Sequence, residues 1–191
     1  MGAIHSPKPV LLFMAVFSAD PSAFAWVRKR AETKWGPLAL ESETFPFETF
    51  TDYYAKSMGE RLPKRLWAFE NLISPDALPK IKCVTNDWEA EFKALGSDRL
   101  GDCPPDCPVE RPLNIDPGYI DLGKLILAST KDHAHRIYLS EGIFAETTLM
   151  YTQKQWKPLP WTYPDYQSAG YQQFLTQCRD FLYLKRKEKD G

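Results

Sequence analysis

The order of hydrophobic patterns along this 191-residue chain predicts an α+β fold, an antiparallel sheet covered by helices. Three observations carry that prediction. Residues 10–17 form an unbroken apolar run of strand-like length, rich in β-branched and aromatic members. Residues 74–95 repeat apolar side chains every three or four positions, as an amphipathic helix does. Residues 136–151 alternate around Glu141-Gly142, as a hairpin does.

Taken in order, the run from Val10 to Phe17 reads as a strand buried on both faces and starts the core. Ser18 or Asp20 can cap the helix that follows, Pro21 suits its first turn, and Phe24, Val27 and Ala31 fall at helical spacing before Gly36 stops it. Residues 37–47 are extended again, with Leu38, Leu40, Phe45 and Phe47 favouring a strand. The adjacent Tyr53 and Tyr54 suit a core edge or a pocket wall, because a phenol joins an apolar face to a hydrogen-bonding tip. Residues 64–73 read as a strand with Leu66, Ala68 and Glu70 on one face and Trp67, Phe69 and Asn71 on the other; a helix is the rival.

Ser74-Pro75-Asp76 starts a helix by capping, by proline in the first turn and by a negative charge at the positive end of the dipole. Its stripe is Leu78, Ile81, Thr85, Trp88, Phe92 and Leu95, with Glu89, Glu91 and Lys93 expected in solvent. Residues 96–110 form a loop rich in Gly, Pro, Asp and Cys, followed by a short strand at 113–115 and a turn at Asp116-Pro117-Gly118. Strand, helix, strand, strand, helix, strand is the succession of a split βαβ, ferredoxin-like core. A three-layer α/β sheet is the alternative. The hairpin and a C-terminal helix are added to that core. Ser168 caps the last helix, Tyr171, Phe174, Leu175, Cys178, Phe181 and Leu182 make its buried stripe, and Lys185-Arg186-Lys187 is expected as an exposed tail. The aromatic segment Trp161-Thr162-Tyr163-Pro164-Asp165-Tyr166 docks this helix onto the sheet.

A chain of this length with 43% hydrophobic residues buries one good core, so one domain over residues 1–191 is expected. The 24 basic and 25 acidic residues exclude a broad non-specific nucleic-acid surface; any polyanion contact is local. No run approaches the roughly 20 apolar residues of a membrane span. Lys8, the apolar run and Ala23-Phe24-Ala25 imitate a secretory signal, and Met1-Gly2 with Ser6 imitates a myristoylation site, but the run is short and passes directly into a helix start. A cytoplasmic location is expected. Cys103 and Cys107 lack the second short-spaced pair of a structural zinc site, so free thiols are the expectation and no metal is assigned.

Chemistry concentrates in residues 111–151. Gly118 to Leu125 imitates a Walker A loop ending at Lys124, yet Leu125 stands where a hydroxyl must hold magnesium, and Tyr-Ile-Asp-Leu is too bulky to cradle phosphate. Residues 121–130 fit a helix or a strand. In a helix, Lys124 and Lys131 share a side near Arg136, and three cations suit an anionic ligand; a solvated basic face is the plain rival. His133 and His135 alternate in a strand and point apart, a poor metal pair. A two-residue turn pairs Ser140 with Ile143, Leu139 with Phe144 and Ile137 with Glu146, which sets Glu146 on the face of Ile137, Leu139, Phe144 and Met150. A carboxylate there needs a basic partner or a catalytic role. Glu146, Asp116 and His135 are thus the acid-base candidates, and Lys124, Lys131, Arg136, Asn114, Tyr119 and Tyr54 the ligand-binding ones. The expected ligand bears phosphate, as a nucleotide or an RNA end does, and no cofactor is identified. The competing expectation is a protein-interaction module whose polar cluster is structural.

Several strings carry a resemblance: Asn114-Ile115-Asp116-Pro117-Gly118-Tyr119, Leu127-Ala128-Ser129-Thr130-Lys131-Asp132, His135-Arg136-Ile137-Tyr138-Leu139, Gly142-Ile143-Phe144-Ala145-Glu146 and the aromatic segment from Trp161. With residues 51–59 and 81–86, they make the chain resemble, over most of its length, the bacterial family catalogued as domain of unknown function 4416. Members are sometimes labelled GTP-binding proteins, a label that the Walker-like spacing ending at Lys124 accounts for. The resemblance implies a bacterial, cytoplasmic, single-domain protein and assigns no activity to any residue.

Overall fold

The computed structural model describes residues 2–46, 62–95 and 111–190. Phe47, Tyr54, Cys103 and Cys107 lie outside them. Among the described residues nine antiparallel strands make one sheet. Strand β1 (Val10–Phe17) is followed by helix α1 (Pro21–Trp35), β2 (Leu38–Glu41), β3 (Phe45–Pro46), β4 (Pro63–Ile73), α2 (Leu78–Ala94), β5 (Asn114–Asp121), β6 (Lys124–Ser129), β7 (Ile137–Ser140), β8 (Ile143–Thr152), β9 (Gln155–Pro158) and α3 (Ala169–Asp190). The order across the sheet is β2-β4-β1-β5-β6-β8-β7, with β3 beside β4 and β9 beside β8. The mixed α/β composition and the large antiparallel sheet are those the patterns predict.

All eight residues of β1 are buried, because the sheet is covered on both sides. Leu12, Met14, Val16, Trp67 and Phe69 pack under α1 and α2. Leu11, Phe13, Ala15, Leu66 and Ala68 pack under α3, through Tyr171, Phe174, Leu175, Cys178 and Leu182. Asp20 caps α1 by accepting from the Ser22 amide at 2.9 Å, and Gly36 ends it at φ 93°, a region that glycine enters without strain. Ser74 precedes a short 3-10 turn (Pro75–Ala77) that runs into α2, but its side chain makes no capping bond.

Three local readings change, and one open choice is settled. Asp116, Pro117 and Gly118 form the middle of β5 rather than a turn. Pro117 lies outside the β5–β6 ladder, which begins at the Gly118–Leu127 pair, and faces Met14 in the β1–β5 ladder. Gly118 sits so close to β6 that an added Cβ would stand 2.2 Å from the Ile126 carbonyl oxygen. Residues 121–130 are the β5–β6 turn and strand β6, which settles helix against strand. The hairpin keeps its Ser140–Ile143 pair, but a bulge at Leu139 sets Tyr138 opposite Phe144 and Ile137 opposite Ala145. Arg186 is no free tail: its guanidinium bonds the Pro9 carbonyl at 2.6 Å and pairs with Asp121 at 2.8 Å. No helix among the described residues is long and apolar enough to cross a membrane.

Candidate functional site

The face of the sheet under α3 is apolar along most of its length and turns polar at one end, and strand register explains how. Facing residues of an antiparallel pair project to the same side. Phe17 pairs with Lys64 on β4 and with Asn114 on β5, Ala15 pairs with Asp116, and Leu127 pairs with Glu146. Ser129 lies two residues beyond Leu127 and shares its side. The register shifts between Leu125 and Ile126 where β8 bulges at Thr148, which puts Glu146 and Leu149 on one face. Lys64, Asn114, Asp116, Ser129 and Glu146 therefore meet at one end of the sheet.

They line a pocket of about 110 Å³, together with Lys82, Arg111, Lys131, Arg136, Tyr163, Asp165 and Tyr166. Lys64 and Asp165 are joined at 2.7 Å with side chains only 3% and 2% exposed. The Lys64 ammonium also lies 4.9 to 5.6 Å from the rings of Tyr166, Phe17 and Tyr171, close enough for cation–π attraction. Lys82 comes from α2, on the other side of the sheet; it donates to the Ile115 carbonyl at 2.9 Å and lies 3.8 Å from Asp116.

Glu146 accepts from Arg136 Nε at 2.8 Å and from Thr148 Oγ1 at 3.2 Å, and His135 Nε2 lies 3.1 Å away. Arg136 also donates to Ser129 Oγ at 2.7 Å and to the Lys131 carbonyl at 3.1 Å. Glu146 is thus buried, though not among Ile137 and Leu139, which the bulge leaves exposed. His133 and His135 belong to a loop, not a strand, and their rings stack at 5.8 Å; His135 stacks in turn on Trp161 at 4.8 Å.

Glu89, expected in solvent, is mostly buried. It accepts from the Ile115 amide at 2.8 Å and pairs with Arg111 at 3.4 Å. Burial pushes its carboxyl above the ordinary range, against the pull of Lys82, the Ile115 amide and Arg111. Burial, followed by the nearby Asp165, pushes the Tyr166 phenol well up, so it stays protonated and able to donate. Arg111 donates to Asn114 Oδ1. Among the described residues, neither Asn114 Nδ2 nor the Tyr166 hydroxyl has a hydrogen-bond partner, although both side chains are buried.

Of the candidates read from sequence, Asn114, Asp116, Lys131, Arg136 and Glu146 line the pocket, and His135 touches it through Glu146. Lys124 does not join them. It lies exposed at the far end of β6, about 17 Å of strand from Ser129. Tyr119 alternates to the opposite face and packs beside Leu78, Ile126 and Ile143. Lys64, Lys82, Arg111, Asp165 and Tyr166 were not anticipated. Lys64 had a weak signal, being two residues before Leu66 and four before Ala68 on one face of the strand, although that face also carries Glu70.

Among the described residues no group of three or more His, Cys, Asp or Glu is placed to hold a metal. Gly118 to Leu125 is strand, turn and strand, which is not the loop-to-helix passage of a phosphate-binding loop. Purified protein is expected to show no magnesium-dependent GTP hydrolysis, and Lys124→Ala to leave any ligand-induced thermal shift unchanged. GTP turnover lost in Lys124→Ala would contradict this.

The chain matches, over residues 8–182, the family model described as Domain of unknown function (DUF4416). No curated protein and no solved structure matches it.

Proposed function

The chain belongs to the DUF4416 family, a domain of unknown function, and from that premise we propose that its pocket binds a small phosphate-bearing ligand, such as a nucleotide or an RNA end. The observation that carries this reading is the pair of buried, unpartnered donors, Asn114 Nδ2 and Tyr166 Oη, in a pocket also lined by Lys64, Lys82, Arg111, Lys131 and Arg136. A buried donor without a partner costs about 1–3 kcal/mol, and an anionic oxygen removes that cost. The carboxylates Asp116, Glu146 and Asp165 on the lining, with Glu89 behind them, offset most of the positive charge and leave a small cationic excess. Asp116, Glu146 and His135 are the groups available for acid-base chemistry. The order β2-β4-β1-β5 with α1 and α2 on one face also supports reading this part as a split βαβ, ferredoxin-like unit, to which the remaining strands and α3 are added.

A thermal-shift panel of inorganic phosphate, nucleotides and 5′-phosphorylated oligoribonucleotides tests the reading. A ligand at 100 times its Kd stabilises by about 2.7 kcal/mol, which is about 5 to 11 °C for a chain of this size. Lys131→Ala, at the exposed rim, is expected to weaken that shift. A panel in which no phosphate compound raises the Tm would rule the reading out.

One observation favours the second reading, a protein-interaction module. Ile137, Tyr138 and Leu139 are 73%, 58% and 39% exposed on β7, the last strand of the sheet order.

A further inference from the structure

Floor and rim of the pocket differ chemically, and the difference narrows the ligand. Phe17, Lys64, Asn114, Asp165 and Tyr166 are all buried and make the floor. Thr130, Lys131 and Tyr163 are exposed, and Arg111 and Asp116 are partly so; they make the rim. A ligand group that reaches the floor has a way back out on the rim side alone. It must therefore be the end of a molecule.

The floor's charged groups are already engaged with each other, Lys64 with Asp165 and, at the wall, Arg136 with Glu146. What the floor still holds is two neutral donors, Asn114 Nδ2 and Tyr166 Oη, both covered from solvent, so a group that reaches them must displace the side chains over them. At the rim Asp116 accepts no hydrogen bond among the described residues; its near cation is Lys82 at 3.8 Å. An entering group thus meets two donors below and one acceptor above. Resting on the phosphate reading, we propose that the pocket recognises a terminal phosphate monoester and rejects phosphodiesters.

The chemistry of the two ester types separates them here. A monoester keeps three unesterified oxygens, enough to accept from Asn114 and Tyr166 and to leave a third at Asp116. In its monoanionic form that third oxygen carries a proton, which Asp116 accepts. A diester has two such oxygens, no proton to give, and a second substituent that would have to occupy the closed floor. A carboxylate also has two oxygens and lacks the tetrahedral spread. Rim groups Arg111 and Lys131 add attraction to either ester and do not discriminate.

Methyl phosphate and dimethyl phosphate form a matched pair without a base or a sugar. At pH 5 both are mainly monoanions, since the second ionisation of a monoester lies near pH 6. In an NMR titration of the full chain at that pH, methyl phosphate is expected to bind at least tenfold more tightly. Tyr166→Phe removes one floor donor in a near-isosteric way; it should cost methyl phosphate about fivefold or more in affinity while the free protein's Tm stays the same or rises. Equal binding of the two esters would overturn this inference and leave the phosphate reading intact. Methyl phosphate failing to bind while other compounds of the phosphate panel do bind would overturn it too, because the terminal group would not be what is recognised. Failure of methyl phosphate and of the whole panel removes both. If Tyr166→Phe leaves methyl phosphate binding unchanged, the assignment of the floor is wrong.

Discussion

Replacing Asp165 by Asn should lower the unfolding free energy by about 3–5 kcal/mol, the cost of leaving one member of a buried ion pair uncompensated. Lys64 and Asp165 are almost completely shielded from solvent, and the ammonium is enclosed by the rings of Phe17, Tyr166 and Tyr171. Water cannot readily replace the lost carboxylate. For a chain of this size the change corresponds to about 6 to 20 °C in Tm. The double substitution Lys64→Met with Asp165→Leu should recover most of the loss, because an apolar pair of similar volume carries no desolvation cost. Urea unfolding of the single and double variants checks both statements. A loss below about 1 kcal/mol in Asp165→Asn would mean that water reaches the pair.

Glu146→Gln should cost somewhat less, about 2–4 kcal/mol, because Arg136 keeps Ser129 and the Lys131 carbonyl as acceptors when the carboxylate is gone. This change is informative without a known substrate. If Glu146 is there to hold Arg136 in place, the amide loses the ion pair and the Tm falls. If it is held at some cost to stability for reaction chemistry, the near-isosteric amide leaves the Tm unchanged or raises it. A differential scanning measurement of the purified variant separates the two.

Elements whose pattern is local were legible in the sequence. The strand Val10–Phe17, the stripes of α1, α3 and α2 (the last as far as Phe92, since Leu95 lies past the helix and is exposed), the two faces of β4 and the Glu141-Gly142 turn each follow from a spacing of two or of three to four residues. Asp116-Pro117-Gly118 misled because its residues carry turn chemistry, while the sheet places the proline past the end of the β5–β6 ladder and needs the glycine for close strand approach. The site was legible in half. Asn114, Asp116, Lys131, Arg136 and Glu146 fall within one stretch, so density of polar residues found them. Lys64 and Asp165 are 101 residues apart, and Lys82 bonds to Ile115 across 33. Register and helix placement bring those together, and neither is written in local spacing. Glu89 shows the same limit: its helical position reads as solvated until Arg111 and Ile115, distant in sequence, bond to it.

The central place of β1 has a consequence for how the chain is made. This strand is eight consecutive apolar residues, and one of its two neighbours, β5, is made much later: Ser18, just past β1, bonds to Pro112, just before β5, across 94 residues. At synthesis rates of about 5–20 residues per second, one edge of β1 stays without its partner for on the order of 5–20 seconds. During that interval an uncovered apolar edge is a template for pairing with another nascent chain. Production of this protein should therefore depend on holding chaperones and on temperature during translation more than the stability of the finished fold suggests.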